Sequence, residues 1–364
     1  MLEIWSRVWP ILVAVLAFGI IIMVHECGHF LAAKAFKVRV HKFALGMGPR
    51  LLKKVKGDTE YSIRLFPIGG YVLMEGEEEE SEDEASYSRK PPWQRMIILA
   101  AGAFMNLVLG LVVVGTMLTM SELIASRYIE VEPNTASYEA GLRSGDIVTN
   151  INGKPVFSGG DIRFLITREN SGTYDFVVKR NGEKHRIDNL QFSVTEEEEP
   201  ETGRIYYRIH SDFKSNFGVH RTFRLVVEGA FRQSASLVQM TYLSLFDLVT
   251  GQFGLADLSG PIGIADTISD VASDAAVRDP EKGKRDYSML LTIIALITIN
   301  IGIMNLLPLP ALDGGKMLFL FINWVSPKKI PQKYEIWVHT AGLVLLLGFM
   351  VVVSFSDILK IVNR

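Results

Sequence analysis

The sequence predicts an α-helical polytopic membrane protein of about four transmembrane helices, with a membrane-associated β-element on the cytoplasmic face and one extracytoplasmic β-rich domain. Three observations predict it. Of 364 residues, 48% are hydrophobic and 21% charged, with a positive mean hydropathy, so very apolar blocks alternate with ordinary polar ones. Four blocks, at 9–33, 96–120, 288–312 and 335–355, reach the length of about 20 apolar residues that a bilayer core requires. Residues 36–75 and 128–195 are instead rich in β-branched and aromatic residues broken by Gly, Pro and Asn.

The first element, 1–35, holds the run "WPILVAVLAFGIIIMV" at 9–24. It reads as a retained span, because Glu3 and a single Arg7 make a poor signal-peptide n-region and no small-residue cleavage pattern follows. Residues 36–95 give short strands and hairpins and then the acidic stretch "EGEEEESEDE" at 75–84, a solvated loop. The second span covers 96–121. Residues 126–196 form the soluble domain, with a helix at 160–169 and a hairpin turn at Arg-Asn-Gly-Glu, 180–183. The connecting region 197–287 carries a helical apolar stretch at 220–250 and a turn-rich "LSGPIGIAD" at 258–266. The third span, 288–316, ends in a proline-marked segment, and 334–356 is the fourth.

Orientation follows from basic residues in the short loops. Lys34, Lys37, Arg39, Lys42, Arg50, Lys53, Lys54, Lys56, Arg64, Arg89, Lys90 and Arg95 lie between spans one and two, and Lys328, Lys329 and Lys333 between three and four. The positive-inside rule puts both loops in the cytoplasm, both termini outside and the long segment 121–287 outside as well. A net charge of −2 gives no field for nucleic acid, which excludes that class of partner. The single cysteine, Cys27, excludes an internal disulfide and a cysteine zinc cluster.

Ionisable groups inside a span are costly and mark function. Here "HECGH" at 25–29 places His25 and His29 one turn apart, so that both rings face the same side of the helix and offer two ligands for zinc. Glu26 stands beside them, able to reach a metal-bound water as general base. A third ligand is needed, and "NLLPLPALDGGK" at 305–316 offers Asp313, its only acidic residue. Pro308 and Pro310 should unwind the backbone there, and irregular backbone at membrane depth is tolerated where it lines a wet cavity. Depth agrees: Pro10 to His25 is about 22 Å of helix, two-thirds or more of a core of about 30 Å. Spans one and three run in the same direction, so Asp313 comes near the same cytoplasmic edge.

These residues resemble the site-2 proteases, intramembrane zinc metalloproteases, and within them the bacterial PDZ-containing regulator of sigma-E protease type. The likeness rests on "HECGHF" at 25–30, "RLFPIGGYVLMEGE" at 64–77, "GAFMNLVLG" at 102–110, "AGLRSGDIVTNINGKPV" at 140–156, "LSGPIGIA" at 258–265 and "NLLPLPALDGG" at 305–315. The resemblance implies a Zn2+ cofactor held by His25, His29 and Asp313, with Glu26 as catalytic base. It implies substrate contacts at Asn305, at Gly69, Gly70 and Tyr71 in a strand that pairs with an extended substrate, and at Gly260, Pro261 and Gly263 in a loop dipping toward the site. Taken alone, Asn305 is a helix-packing amide and "GPIG" a turn. Residues 126–196 become a PDZ-like α+β domain that either screens ectodomains by bulk or captures a carboxyl terminus. One PDZ domain fits where the best-known enterobacterial member has two in tandem. The implied partners are the bilayer and single-span substrates such as anti-sigma factors or signal-peptide remnants, in a bacterial cytoplasmic membrane. The rival reading is a zinc-stabilised scaffold that binds chain termini without cutting, for which Glu26 would have no purpose.

Overall fold

The computed structural model describes the chain except residues 1, 78–80, 122, 126, 170, 199–204, 216–217, 253–259, 277–285, 328–329 and 363–364. Lys328 and Lys329, and the first two residues of "LSGPIGIA", thus lie outside the described residues. Two compact units emerge, one built from residues 1–113 and 245–364 and the other from 114–244. Among the described residues, four helices are long and apolar enough to cross a membrane: Val8–Ala35, Pro92–Met120, Ser288–Leu306 and Gln332–Leu359.

In the larger unit, α1 (Leu2–Ala35) stops because Lys37 takes a left-handed conformation, φ 57°, and the Val38 amide closes back on the Ala33 carbonyl at 2.8 Å. There follow β1 (Val40–Lys56) and β2 (Thr59–Met74). Both strands bend, so one stretch of β1 serves two stretches of β2: Ala44 faces Tyr71 and Ser62, and Leu45 faces Gly70 and Ile63. The two strands therefore act as several short paired segments. Segment 70–74 has β1 on one side and, among the described residues, no strand on the other. Next comes α2 (Pro92–Met120), which runs on into the smaller unit.

The smaller unit holds β3 (Leu123–Ala125), β4 (Ile129–Val131), α3 (Ala136–Glu139), β5 (Ile147–Ile151), β6 (Lys154–Pro155), α4 (Gly159–Glu169), β7 (Thr173–Arg180), β8 (Glu183–Gln191), β9 (Ser193–Glu198), β10 (Ile205–His210), β11 (Phe213–Ser215) and β12 (Gly218–His220). Its main sheet has the order β6-β5-β7-β8, and β9 to β12 add two-stranded pairs. Asn181 and Gly182 both take positive φ at the β7–β8 turn, as the Asn-Gly dipeptide predicts. Leu142, Ile151, Leu165, Tyr174 and Phe176 fill the core with no exposed surface. The sheet does not stop at 196: β10 to β12 lie in what the sequence reads as a connecting region. Their runs are only three to six residues long, too short for a clear alternation.

Then α5 (Phe223–Val249) closes this unit. Asp161, wholly buried near the start of α4, accepts the amides of Phe157 and Ser158 at 2.7 and 2.8 Å and the Ser236 hydroxyl of α5 at 2.5 Å. Asp161→Ala strands all three donors, a loss of about 2–4 kcal/mol by the cost of unmade buried hydrogen bonds, and a thermal melt should record it as a clear drop in Tm.

The chain re-enters the larger unit as α6 (Pro261–Ala276), α7 (Ser288–Leu306), α8 (Asp313–Val325) and α9 (Gln332–Val362). Two of these depart from the sequence reading. "GPIG" is not a turn: Pro261 opens α6 at the first helical position, where its missing N–H costs nothing. The third span does not run to 316. It ends at Leu306, because Pro308 and Pro310 cannot donate to a helix, and Asp313 begins a separate one.

Candidate active site

The site is assembled by α1, α2 and the link between α7 and α8. On α1, His25 and His29 lie edge to face with ring centroids 4.8 Å apart, as a one-turn spacing dictates. The link 307–312 carries Asp313 to them. Ala311 takes a left-handed φ of 71°, and its amide donates to His339 Nδ1 of α9 at 3.0 Å, which holds the link against the fourth long helix. Asp313 Oδ2 then stands 3.1 Å from His25 Nε2 and 3.2 Å from His29 Nε2.

These three atoms suit a metal. His29 Nδ1 donates to the Ile98 carbonyl at 2.8 Å, so in the neutral ring Nε2 presents a bare lone pair, and that atom lies 3.1 Å from His25 Nε2. Two imidazole nitrogens and a carboxylate oxygen meeting in one place could hold a metal ion between them. Separations of 3.1 and 3.2 Å match tetrahedral zinc, whose bonds of about 2.0–2.1 Å put ligand atoms about 3.3 Å apart. The donor set of two imidazoles and one carboxylate leaves a fourth position open.

The three ligand candidates, with Glu26 and Tyr71, line a cavity of about 1100 Å³. A Cβ built on Gly70 would stand 3.0 Å from Glu26 Cγ, so the unpaired edge of β2 runs directly past the acid. Beside the three ligand candidates, Lys316 on α8 donates to Glu77 Oε1 at 2.9 Å and so ties α8 to the segment following β2. Burial depresses the Lys316 ammonium, yet the carboxylates of Glu77 and Asp313 outweigh it and keep the group above its ordinary value.

A profile of peptidase family M50 matches residues 13–349. The chain belongs to that family. A Clostridium perfringens protein named as a zinc metalloprotease is 34% identical over 350 residues, covering 96% of this chain and 98% of that protein. The regulator of sigma-W protease RasP of Bacillus subtilis is 28% identical over 431 residues, 95% of this chain and 97% of that one. This M50 protein is accordingly a zinc metalloprotease of the site-2 protease family, with zinc as its cofactor.

The M50 protease brings together His25, Glu26, His29, Asp313, Gly70 and Tyr71. Gly69 adjoins them with φ 82° but packs on the Met47 side chain. Asn305 stands one residue before α7 ends and eight before Asp313. "GPIG" is elsewhere: the amides of Gly260 and Gly263 both donate to Asp357 Oδ2, at 3.0 and 2.8 Å. Asp357 lies 18 residues along α9 from His339, about 27 Å at the helical rise. The glycines thus serve the start of α6. Sequence reading takes His339 as an interfacial or packing histidine, which its contacts with Ala311 and Phe319 bear out, and gives Asn106 no role of its own. An amide inside the apolar run "AGAFMNLVLG" was the available signal for Asn106, and nothing local marks Ala311 as the partner of His339.

Proposed function

We propose that this M50 protease hydrolyses peptide bonds within the transmembrane segments of single-span proteins, such as anti-sigma factors or remnant signal peptides. The observation that carries the reading is the convergence of His25, His29 and Asp313 beside Glu26, in a cavity bordered by an unpaired strand edge. His25, His29 and Asp313 hold the zinc. Zinc so held supplies Lewis acidity, which acidifies water toward neutral pH and polarises a peptide carbonyl. Glu26, next to the ligands but on another face of α1, accepts the proton of the attacking water and returns it to the departing amine.

A helical substrate must be unwound before its amides are open to attack. The edge Gly70–Leu73 offers backbone donors and acceptors to an extended chain, and the absence of a side chain at Gly70 lets this strand pack closely against α1 beside Glu26. Tyr71, on the same edge, lines the approach. By the family resemblance, Asn305 at the end of α7 is a further contact for that chain. The Lys316–Glu77 pair keeps the β-element registered on the helix that bears Asp313.

By the positive-inside count, the β-element faces the cytoplasm of a bacterial inner membrane while both termini and residues 126–196 lie outside. That outer region is PDZ-like. It receives a newly exposed carboxyl terminus or excludes substrates whose ectodomains have not been trimmed. The sigma-W regulator among the relatives favours substrates of the anti-sigma kind.

Purified protein, with zinc and with a chelator, should be offered single-span substrates carrying either a bulky or a trimmed ectodomain. Cleavage inside the span, lost on chelation and regained with zinc, is the expected result. Capture of the trimmed substrate without any new amino terminus would instead identify a scaffold.

A further inference from the structure

Asn106 lies in the motif "GAFMNLVLG", to which neither the metal ligands nor the strand edge gives a task. It is wholly buried, and its side-chain nitrogen lies 3.4 Å from His25 Nδ1. Its Oδ1 is buried with no partner. Four residues earlier on the same face of α2, a Cβ at Gly102 would stand 2.4 Å from His29 Nε2 and 2.8 Å from His25 Cε1. One face of α2 thus lies flat against both imidazoles. On its other side, the Thr298 hydroxyl of α7 donates to the Asn106 carbonyl at 3.2 Å, so the backbone that carries the amide is fixed from two helices.

We infer that Asn106 is a positioning residue for zinc: its amide oxygen accepts the Nδ1 proton of His25 and thereby fixes the tautomer in which Nε2 is free to bind the metal. A neutral histidine that coordinates through Nε2 carries its proton on Nδ1, and that proton needs an acceptor. For His29 the acceptor is the Ile98 carbonyl. For His25 the Asn106 amide is within reach, and an amide nitrogen has no lone pair to offer, so oxygen must face the ring. A half-turn about the last torsion of Asn106 exchanges the two ends of the amide and brings the unpartnered Oδ1 to Nδ1. With nitrogen facing the ring, the proton sits on Nε2 and points at Asp313, a tautomer that cannot coordinate.

The inference rests on the zinc reading of the site, and the test separates the two. Purified full-length Asn106→Leu, Asn106→Asp and His25→Ala are dialysed against graded chelator and their zinc content is measured beside the parent's, with monodispersity and Tm recorded. Asn106→Leu keeps the volume but removes the acceptor, and should weaken zinc retention about 10–100-fold, the usual effect of losing a partner behind a metal-binding histidine. Asn106→Asp keeps an acceptor at the same place and should hold zinc at least as well as the parent. A packing role predicts the reverse order, because leucine suits an apolar helix interface and a buried carboxylate does not. Folded Asn106→Leu with parental zinc affinity, or folded Asn106→Asp that has lost its zinc, overturns the inference. Should Asn106→Leu fail to fold, the Asn106→Asp measurement decides alone. If His25→Ala also keeps parental affinity, it is the zinc site itself that is misassigned.

Discussion

Glu26→Gln is expected to bind zinc as the parent does and to lose peptide cleavage by at least about 10²-fold, the lower end of what a positioned general base contributes. The substitution keeps the shape of the side chain next to Gly70 and touches no ligand atom. What it removes is the capacity to take a proton from water. Zinc content by metal analysis and cleavage of a trimmed single-span substrate measure the two effects separately. A variant that cuts at the parent's rate would transfer the role of base to another group.

Asp313→Ala should act one step earlier. It takes away one of three ligand atoms within 4.8 Å of each other and leaves two imidazoles whose Nε2 atoms lie 3.1 Å apart with no anion between them. The loss of zinc affinity should exceed the 10–100-fold that removal of an outer hydrogen-bond partner costs. Activity falls with it, and excess zinc restores part of that activity, which it cannot do for Glu26→Gln. Titration of activity against free zinc distinguishes the two variants. Equal zinc affinity in parent and Asp313→Ala would remove Asp313 from the coordination sphere.

Much of the arrangement was legible because its signals are local. Four apolar blocks announce four long helices by length alone. The spacing of His25 and His29 gives a shared helix face, and two prolines announce the break before Asp313. Whatever depends on distant partners was not legible. The start of α6 looks like a turn until Asp357, 97 residues on from Gly260, is seen to accept its amides. The double pairing of β1 comes from bends that no alternation in the sequence encodes. The anchoring of the Asp313 link depends on His339, 28 residues beyond Ala311 on another helix.

His25 and Asp313 are 288 residues apart in the chain. An ion shared between them closes a loop through nearly the whole polypeptide, the smaller unit included. Such a clasp would bear on folding as well as on the reaction: by mass action, free zinc at 100 times its dissociation constant adds about 2.7 kcal/mol to the folded state when the unfolded chain does not bind it. Removal of zinc should therefore lower the Tm of the protein as well as its activity.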